Sequence, residues 1–137
     1  MPPSRQRRFP RAHGSARAAR TFTSEVLTEW GVTERLEDIQ LCVSELATNA
    51  LLHGVPPGRE FSLELVADGP PIRVKVRDSG GGHPRWERGE LEGCGGRGLY
   101  LAQALSDDFG VTWHTPGKTV WLTFKTASPP PAAADGE

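Results

Sequence analysis

Two pairs of alternating apolar segments do most to limit what this chain can fold into. In FSLELV, Phe61, Leu63 and Leu65 alternate with polar residues, and in IRVKVRD so do Ile72, Val74 and Val76. Residues 68–71, Asp-Gly-Pro-Pro, carry turn chemistry between them, so the two segments read as a β-hairpin. A second pair follows, with Phe109, Val111 and Trp113 on one run and Val120, Leu122 and Phe124 on the other, around a turn at 115–118 that contains Pro116 and Gly117. Four strands that each bury one face describe a largely antiparallel sheet covered on a single side, not a doubly wound parallel sheet.

Helical spacing supplies the cover. Phe22, Val26, Leu27 and Trp30 share one face of a short helix that ends at Gly31. Thr33 stands in the position of an N-cap, and from 34 to 53 the residues Leu36, Ile39, Val43, Leu46, Ala47 and Ala50 recur at helical spacing until Gly54 and Pro56 stop the run. A third helix runs from Leu99 to about Asp107. The expected fold is a two-layer α/β (α+β) sandwich, a mainly antiparallel mixed sheet covered on one face by three helices.

The chain has 137 residues, which suits one domain. Residues 1–20 hold six arginines and no acid, leaving ten cations against 17 acids in the remainder. They read as a flexible basic N-terminal arm, residues 21–126 as the folded domain, and the Pro/Ala-rich 127–137 as a disordered tail. The formal charge of -1 excludes a uniformly basic, histone-like chain. Cys42 and Cys94 have no metal-ligand spacing and no partner cluster, which supports neither a disulfide framework nor a zinc site. No apolar stretch accompanies the N-terminal arginines, so a cytoplasmic protein that does not enter a membrane is expected. Direct nucleic-acid binding by the arm lacks interleaved aromatics beyond Phe9 and any reading motif, which argues against it.

Three clusters carry candidate chemistry. On the long helix Glu45 and Asn49 lie four residues apart and well away from the apolar stripe, stacked on what reads as the wet face. Alone they are compatible with solvated decoration. Asp78 continues the alternation of Ile72, Val74 and Val76 and therefore aims inward, where a carboxylate needs a partner: the backbone N–H groups of a turn, or the amino group of a ligand approaching past Gly80 to Gly82. In GCGGRGLYLAQAL, the glycines Gly93, Gly95, Gly96 and Gly98 lead directly into an amphipathic helix, whose free N–H groups favour an anion such as phosphate. No strand precedes them and no Gly-Lys-Ser/Thr follows, which sets aside both a dinucleotide fold and a P-loop.

In this order, ELATNALLHG, RDSGGG and GGRGL closely resemble the N, G1 and G2 boxes of the GHKL or Bergerat-fold ATPase and kinase superfamily, and the compact form with an SELATNALLHG-type helix resembles the anti-sigma-factor serine kinases of bacteria. The resemblance covers roughly residues 21–126. It implies that Asn49 binds the Mg²⁺ that bridges the phosphates of ATP and that Glu45 is the general base for the attacking hydroxyl. It further implies that Asp78 reads the adenine amino group beside Gly80 and Gly82, that Gly95, Gly96, Gly98 and Leu99 turn the chain over the phosphates, and that Arg97 neutralises their charge. His53 is placed as a candidate phosphate contact, and residues 83–94 as the ATP lid.

The function implied is a Mg-ATP-dependent serine/threonine protein kinase that regulates transcription by phosphorylating an anti-anti-sigma-type protein. The resemblance also leaves room for a sigma factor as a second partner and for a homodimer. The alternative is a regulatory module that binds ATP or a partner without catalysis. At this length no dimerisation helix pair bearing a phosphoacceptor histidine is expected, nor a second domain coupling hydrolysis to DNA.

Overall fold

The computed structural model describes residues 3–51, 59–67, 71–78, 96–114 and 117–126, with the backbone alone at 96–100. Its elements are β1 (Ser4–Pro10), α1 (Ser15–Glu29), α2 (Leu36–Asn49), β2 (Glu60–Ala67), β3 (Ile72–Asp78), α3 (Gly96–Leu105), β4 (Asp108–Trp113) and β5 (Lys118–Phe124). The strands form one sheet in the order β1-β2-β3-β5-β4, and every described pairing is antiparallel. Both hairpins expected from the alternation are present, with Leu63 opposite Val76 in the first and Val111 opposite Val120 in the second.

The period-2 pattern sets the two faces of the sheet. Phe61, Leu63, Leu65, Ile72, Val74, Leu122 and Phe124 are buried on the inner face, while Ser62, Glu64, Arg73, Lys75, Thr119, Trp121 and Thr123 face outward. Onto the inner face pack Phe22, Val26 and Leu27 from α1, Ile39, Val43 and Leu46 from α2, and Ala102 from α3. Each fully buried aliphatic side chain contributes roughly 1.5–3 kcal/mol as an upper estimate, so this interlayer seam is the main stabilising term. Trp113, expected on the inner face, is 49% exposed and stands at the end of the edge strand β4. No helix among the described residues is long and apolar enough to cross a membrane.

Several boundaries differ from the reading of the sequence. Residues 4–20 are not a loose arm. Ser4–Pro10 pairs along its whole length with β2 as the edge strand, and residues 15–20 are the first turns of α1. The strand carries almost no apolar alternation, because an edge strand needs only one anchor. Phe9 supplies it, stacked on Phe61 at 5.4 Å and edge-on to Phe22 at 6.2 Å, while the arginines stay in water. Arg5 pairs with Glu29 at 2.9 Å, and Arg7 lies over the Phe9 ring. The early start of α1 follows from Ala and Arg, both good helix formers, and from the Ser15 hydroxyl, which donates to the Pro10 carbonyl at 2.7 Å.

Thr33 does not cap α2. The N-cap is Arg35, whose side chain is engaged elsewhere, and Glu37 and Asp38 occupy the first turn, where the helix dipole favours acids. Gly31 has φ +74°, the left-handed conformation that closes α1. Gly117 has φ +95° and its carbonyl accepts the His114 N–H, which closes the β4–β5 hairpin. The expected stop at Gly54 and Pro56 and the tail 127–137 lie outside the described residues.

Candidate functional site

The central helix α2 is flanked by α1 on one side and α3 on the other, and it lies over β3. Its direction is fixed by Arg35 at its start. The Arg35 guanidinium donates to the Leu105 carbonyl at the end of α3 (2.8 Å), to the Lys125 carbonyl just past β5 (2.9 Å) and to the Asp107 carboxylate (3.0 Å). It also lies 5.2 Å from the Phe124 ring. Because α2 begins where α3 and β5 end, the two helices run antiparallel. The last turn of α2, the first turn of α3, the start of β5 and the end of β3 therefore share the opposite end of the sandwich. Those four segments carry Glu45 and Asn49, Gly96 to Leu99, Lys118, and Asp78.

Asn49 is buried, at 6% exposure, which corrects its placement on a wet face. A helical wheel measures angle from one apolar stripe, whereas α2 is enclosed on two flanks as well as beneath. Its Oδ1 is buried without a hydrogen-bond partner among the described residues. Such an orphaned acceptor costs about 1–3 kcal/mol and is available to a ligand; the Ser106 Oγ at the other end of α3 is likewise without a partner. A carboxamide oxygen with free lone pairs suits a hard cation that keeps most of its water and takes few protein ligands, as Mg²⁺ does. Among the described residues no cluster of three or more His, Cys, Asp and Glu could hold a metal by itself. Glu45, one turn before Asn49, is half-buried.

Asp78 is 4% exposed and aims inward, as the alternation requires. Its partner is Lys118, directly opposite it on β5. The Lys118 ammonium lies 2.6 Å from Asp78 Oδ2, and the Lys118 backbone N–H donates to Oδ1 at 3.2 Å. Lys118 was read as part of a turn. The signal that would have found it is the alternation itself, since Lys118 stands two residues before Val120 just as Asp78 stands two after Val76. Asp78, but not Lys118, helps line a cleft of about 570 Å³ with Phe61 and Arg77, ringed by Arg8, Arg11 and Arg59.

α3 starts three residues earlier than its apolar pattern indicates, so Gly96, Arg97, Gly98 and Leu99 form its first turn. The first four N–H groups of a helix have no intrahelical acceptor, and these four residues supply them. Gly80, Gly82, Gly95 and His53 lie outside the described residues, as do the lid segment 83–94 and Cys94; nothing is described of the Arg97 side chain. Cys42 is a core residue, and burial pushes its thiol up to about 12, which keeps it protonated and inert.

This end of the α/β sandwich gathers a helix N-terminus, an inward carboxylate and a buried carboxamide oxygen without a partner among the described residues, an arrangement compatible with a nucleotide. The profile of the histidine kinase-like ATPase domain matches residues 9–124, and the chain belongs to that family. Among solved structures it is similar to the RsbU and RsbW domains of Rv1364c from Mycobacterium tuberculosis, with 26% identity and a TM-score of 0.66. The match covers 90% of this chain but 32% of that one, so this chain corresponds to about a third of its neighbour. No curated protein matches. The α/β sandwich, the ATPase family and the likeness to anti-sigma-factor kinases inferred from the boxes agree with these findings.

Proposed function

We propose that this chain binds Mg-ATP and transfers its γ-phosphoryl group to a serine or threonine of an anti-anti-sigma-type protein, acting in the cytoplasm as a regulator of transcription. The observation that carries the reading is the Oδ1 of Asn49, buried and without a partner among the described residues, at the end where α3 begins. Asn49 would hold Mg²⁺, which when bound neutralises phosphate charge. The first-turn N–H groups of α3 would bind phosphate oxygens, with Arg97 adding a cation. Glu45, one turn from Asn49, would take the proton of the attacking hydroxyl. Such transfer is accelerated mainly by positioning and charge neutralisation, and this arrangement would supply both. Asp78 would read the base. A sigma factor as a second partner and a homodimer remain part of the proposal, on the strength of family resemblance.

One observation favours a second reading, a binding module without catalysis: both Asp78 oxygens are already engaged by Lys118. Calorimetric titration with ATP, with and without Mg²⁺, combined with phosphoryl transfer to a candidate antagonist, separates the two. Glu45→Ala is expected to bind Mg-ATP as the wild type does and to lose transfer by 10²-fold or more, the usual order for general-base removal. Transfer that persists in Glu45→Ala would remove the base assignment. Absence of transfer in the wild type, with binding intact, would establish the module.

A further inference from the structure

The cleft that Asp78 borders opens on the outer face of the sheet, and four arginines set its charge. Arg8 stands opposite Ser62 across β1 and β2, and Arg77 stands opposite Ser62 across β2 and β3, so the three side chains leave the outer face in one row. Strands lie about 4.8 Å apart, which puts the two arginine backbones roughly 10 Å from each other on either side of Ser62. Arg11 and Arg59 continue the wall just beyond the β1–β2 ladder, where the Arg11 N–H donates to the Arg59 carbonyl at 3.2 Å. All four side chains are exposed, and none is in an ion pair among the described residues.

Of the acids on this wall, Asp78 is already held by Lys118, which leaves Glu60 against four guanidinium groups. The excess is local, since the chain as a whole has 16 cations and 17 acids. Like charges gathered along a concave wall raise the potential inside it and draw in an anion. A guanidinium pairs through two parallel N–H bonds with a carboxylate or with a phosphate, so the rest of the cleft has to choose between them. Single-stranded nucleic acid is held by stacking as well as by charge, and the aromatic ring in this cleft, Phe61, is 1% exposed and stacked on Phe9. A second copy docked face to face would oppose the same cations to themselves. A carboxylate-rich protein segment meets both the charge and the fork geometry and needs no stacking surface.

We propose that this outer-face cleft docks a carboxylate-rich segment of a partner protein through Arg8, Arg11, Arg59 and Arg77. Docking there requires no nucleotide, so it stands or falls apart from the reading above. The test is fluorescence anisotropy of the full chain with labelled deca-glutamate, and with a labelled deca-thymidylate single strand of similar charge, at about 50 mM salt without nucleotide. The wild type is expected to bind deca-glutamate more tightly than deca-thymidylate. Arg8→Glu/Arg77→Glu is expected to weaken the peptide by about tenfold or more. Arg17→Glu/Arg20→Glu, an equal change of charge at exposed positions on α1, is expected to hold it within about threefold. Should the first double variant fail to fold by circular dichroism, Arg11→Ala/Arg59→Ala decides, with a loss of about threefold or more expected. No binding of the peptide overturns the proposal, as does equal weakening by both charge-reversed variants. Deca-thymidylate bound as tightly as the peptide overturns it in favour of nucleic acid. A dimer on size exclusion that Arg8→Glu/Arg77→Glu abolishes overturns it in favour of a second copy.

Discussion

The obvious test of base recognition, substitution of Asp78, also perturbs the fold, and the structure says by how much. Asp78 and Lys118 are each 4% exposed, and the ammonium sits 2.6 Å from Oδ2. Removing one member of a buried ion pair typically costs about 3–5 kcal/mol, because the remaining charge keeps its desolvation penalty without its counter-charge. Exchanging both members for apolar groups is often neutral or stabilising. Asp78→Ala and Lys118→Met are therefore each expected to destabilise by about 3–5 kcal/mol, and the double variant by much less than the sum, leaving a coupling of about 2–3 kcal/mol or more. Urea unfolding of the four proteins, fitted with a common slope, measures the cycle. Typical domains are stable by only about 5–15 kcal/mol, so a single variant could lose nucleotide binding simply by unfolding. Binding should accordingly be compared at temperatures where each variant is shown to be folded. Single variants within about 1 kcal/mol of wild type, or additive costs in the double, would refute the buried pair as the organising contact at this end of the sheet.

Asn49→Ala is expected to abolish the Mg²⁺ dependence of ATP binding while leaving the unliganded protein as stable as wild type, or more stable by up to about 1 kcal/mol, since it removes an unsatisfied buried acceptor. A retained Mg²⁺ dependence, or a large loss of stability in urea, would contradict the metal role. At the other end, Arg35→Ala breaks three charge-assisted bonds and is expected to cost about 2–3 kcal/mol by urea unfolding. The same contact makes stability depend on acid. The Lys125 N–H, and next Arg35, hold the Asp107 carboxyl below its ordinary value of 3.8. That contribution is present above the ordinary carboxylate range and is lost as pH falls through the lowered value. Thermal melts should therefore show wild type losing more stability than Asp107→Asn on acidification below about pH 4. Equal losses would show that Asp107 carries no such linkage.

The layers of this fold were legible because a half-buried sheet and an amphipathic helix leave different periods in the chain. Phe61 to Val76 and Val120 to Phe124 carry period 2, and Leu36 to Ala50 carries 3.6. What escaped had little periodicity to leave. β1 needs one buried ring, Phe9, and its remaining positions read as a basic arm. α3 opens on Gly96 and Gly98, poor helix formers that hide its first turn. The site shows the same division. Asp78 could be placed inward by counting, but its partner Lys118 comes from a strand 40 residues on, and only the β3–β5 register brings them opposite each other. Asn49 was recognisable by its company with Glu45, whereas its burial depends on the flanking helices and could not be counted out along α2.

The two ends of the sandwich differ in what holds them. At one end a charge-assisted network dominates: Arg35 ties the start of α2 to the end of α3 and to β5, the Asp107 carboxylate accepts the Lys125 N–H, and Phe124 lies under the guanidinium, although the Ser106 hydroxyl beside them is buried without a partner among the described residues. At the other end stand an acceptor without a donor, a buried ion pair and a helix opening on glycines. Each of these lowers the stability of the unliganded chain relative to an apolar or capped alternative, and in the proposed function each would meet one part of a nucleotide: cation, base and phosphate. A fold selected only for stability would have put Leu or Ala at 49 and an apolar pair at 78 and 118. Under the proposed function, bound Mg-ATP would supply a partner to Asn49 and so would be linked to stability. It follows that Mg-ATP should raise the unfolding midpoint of the wild type more than that of Asn49→Ala.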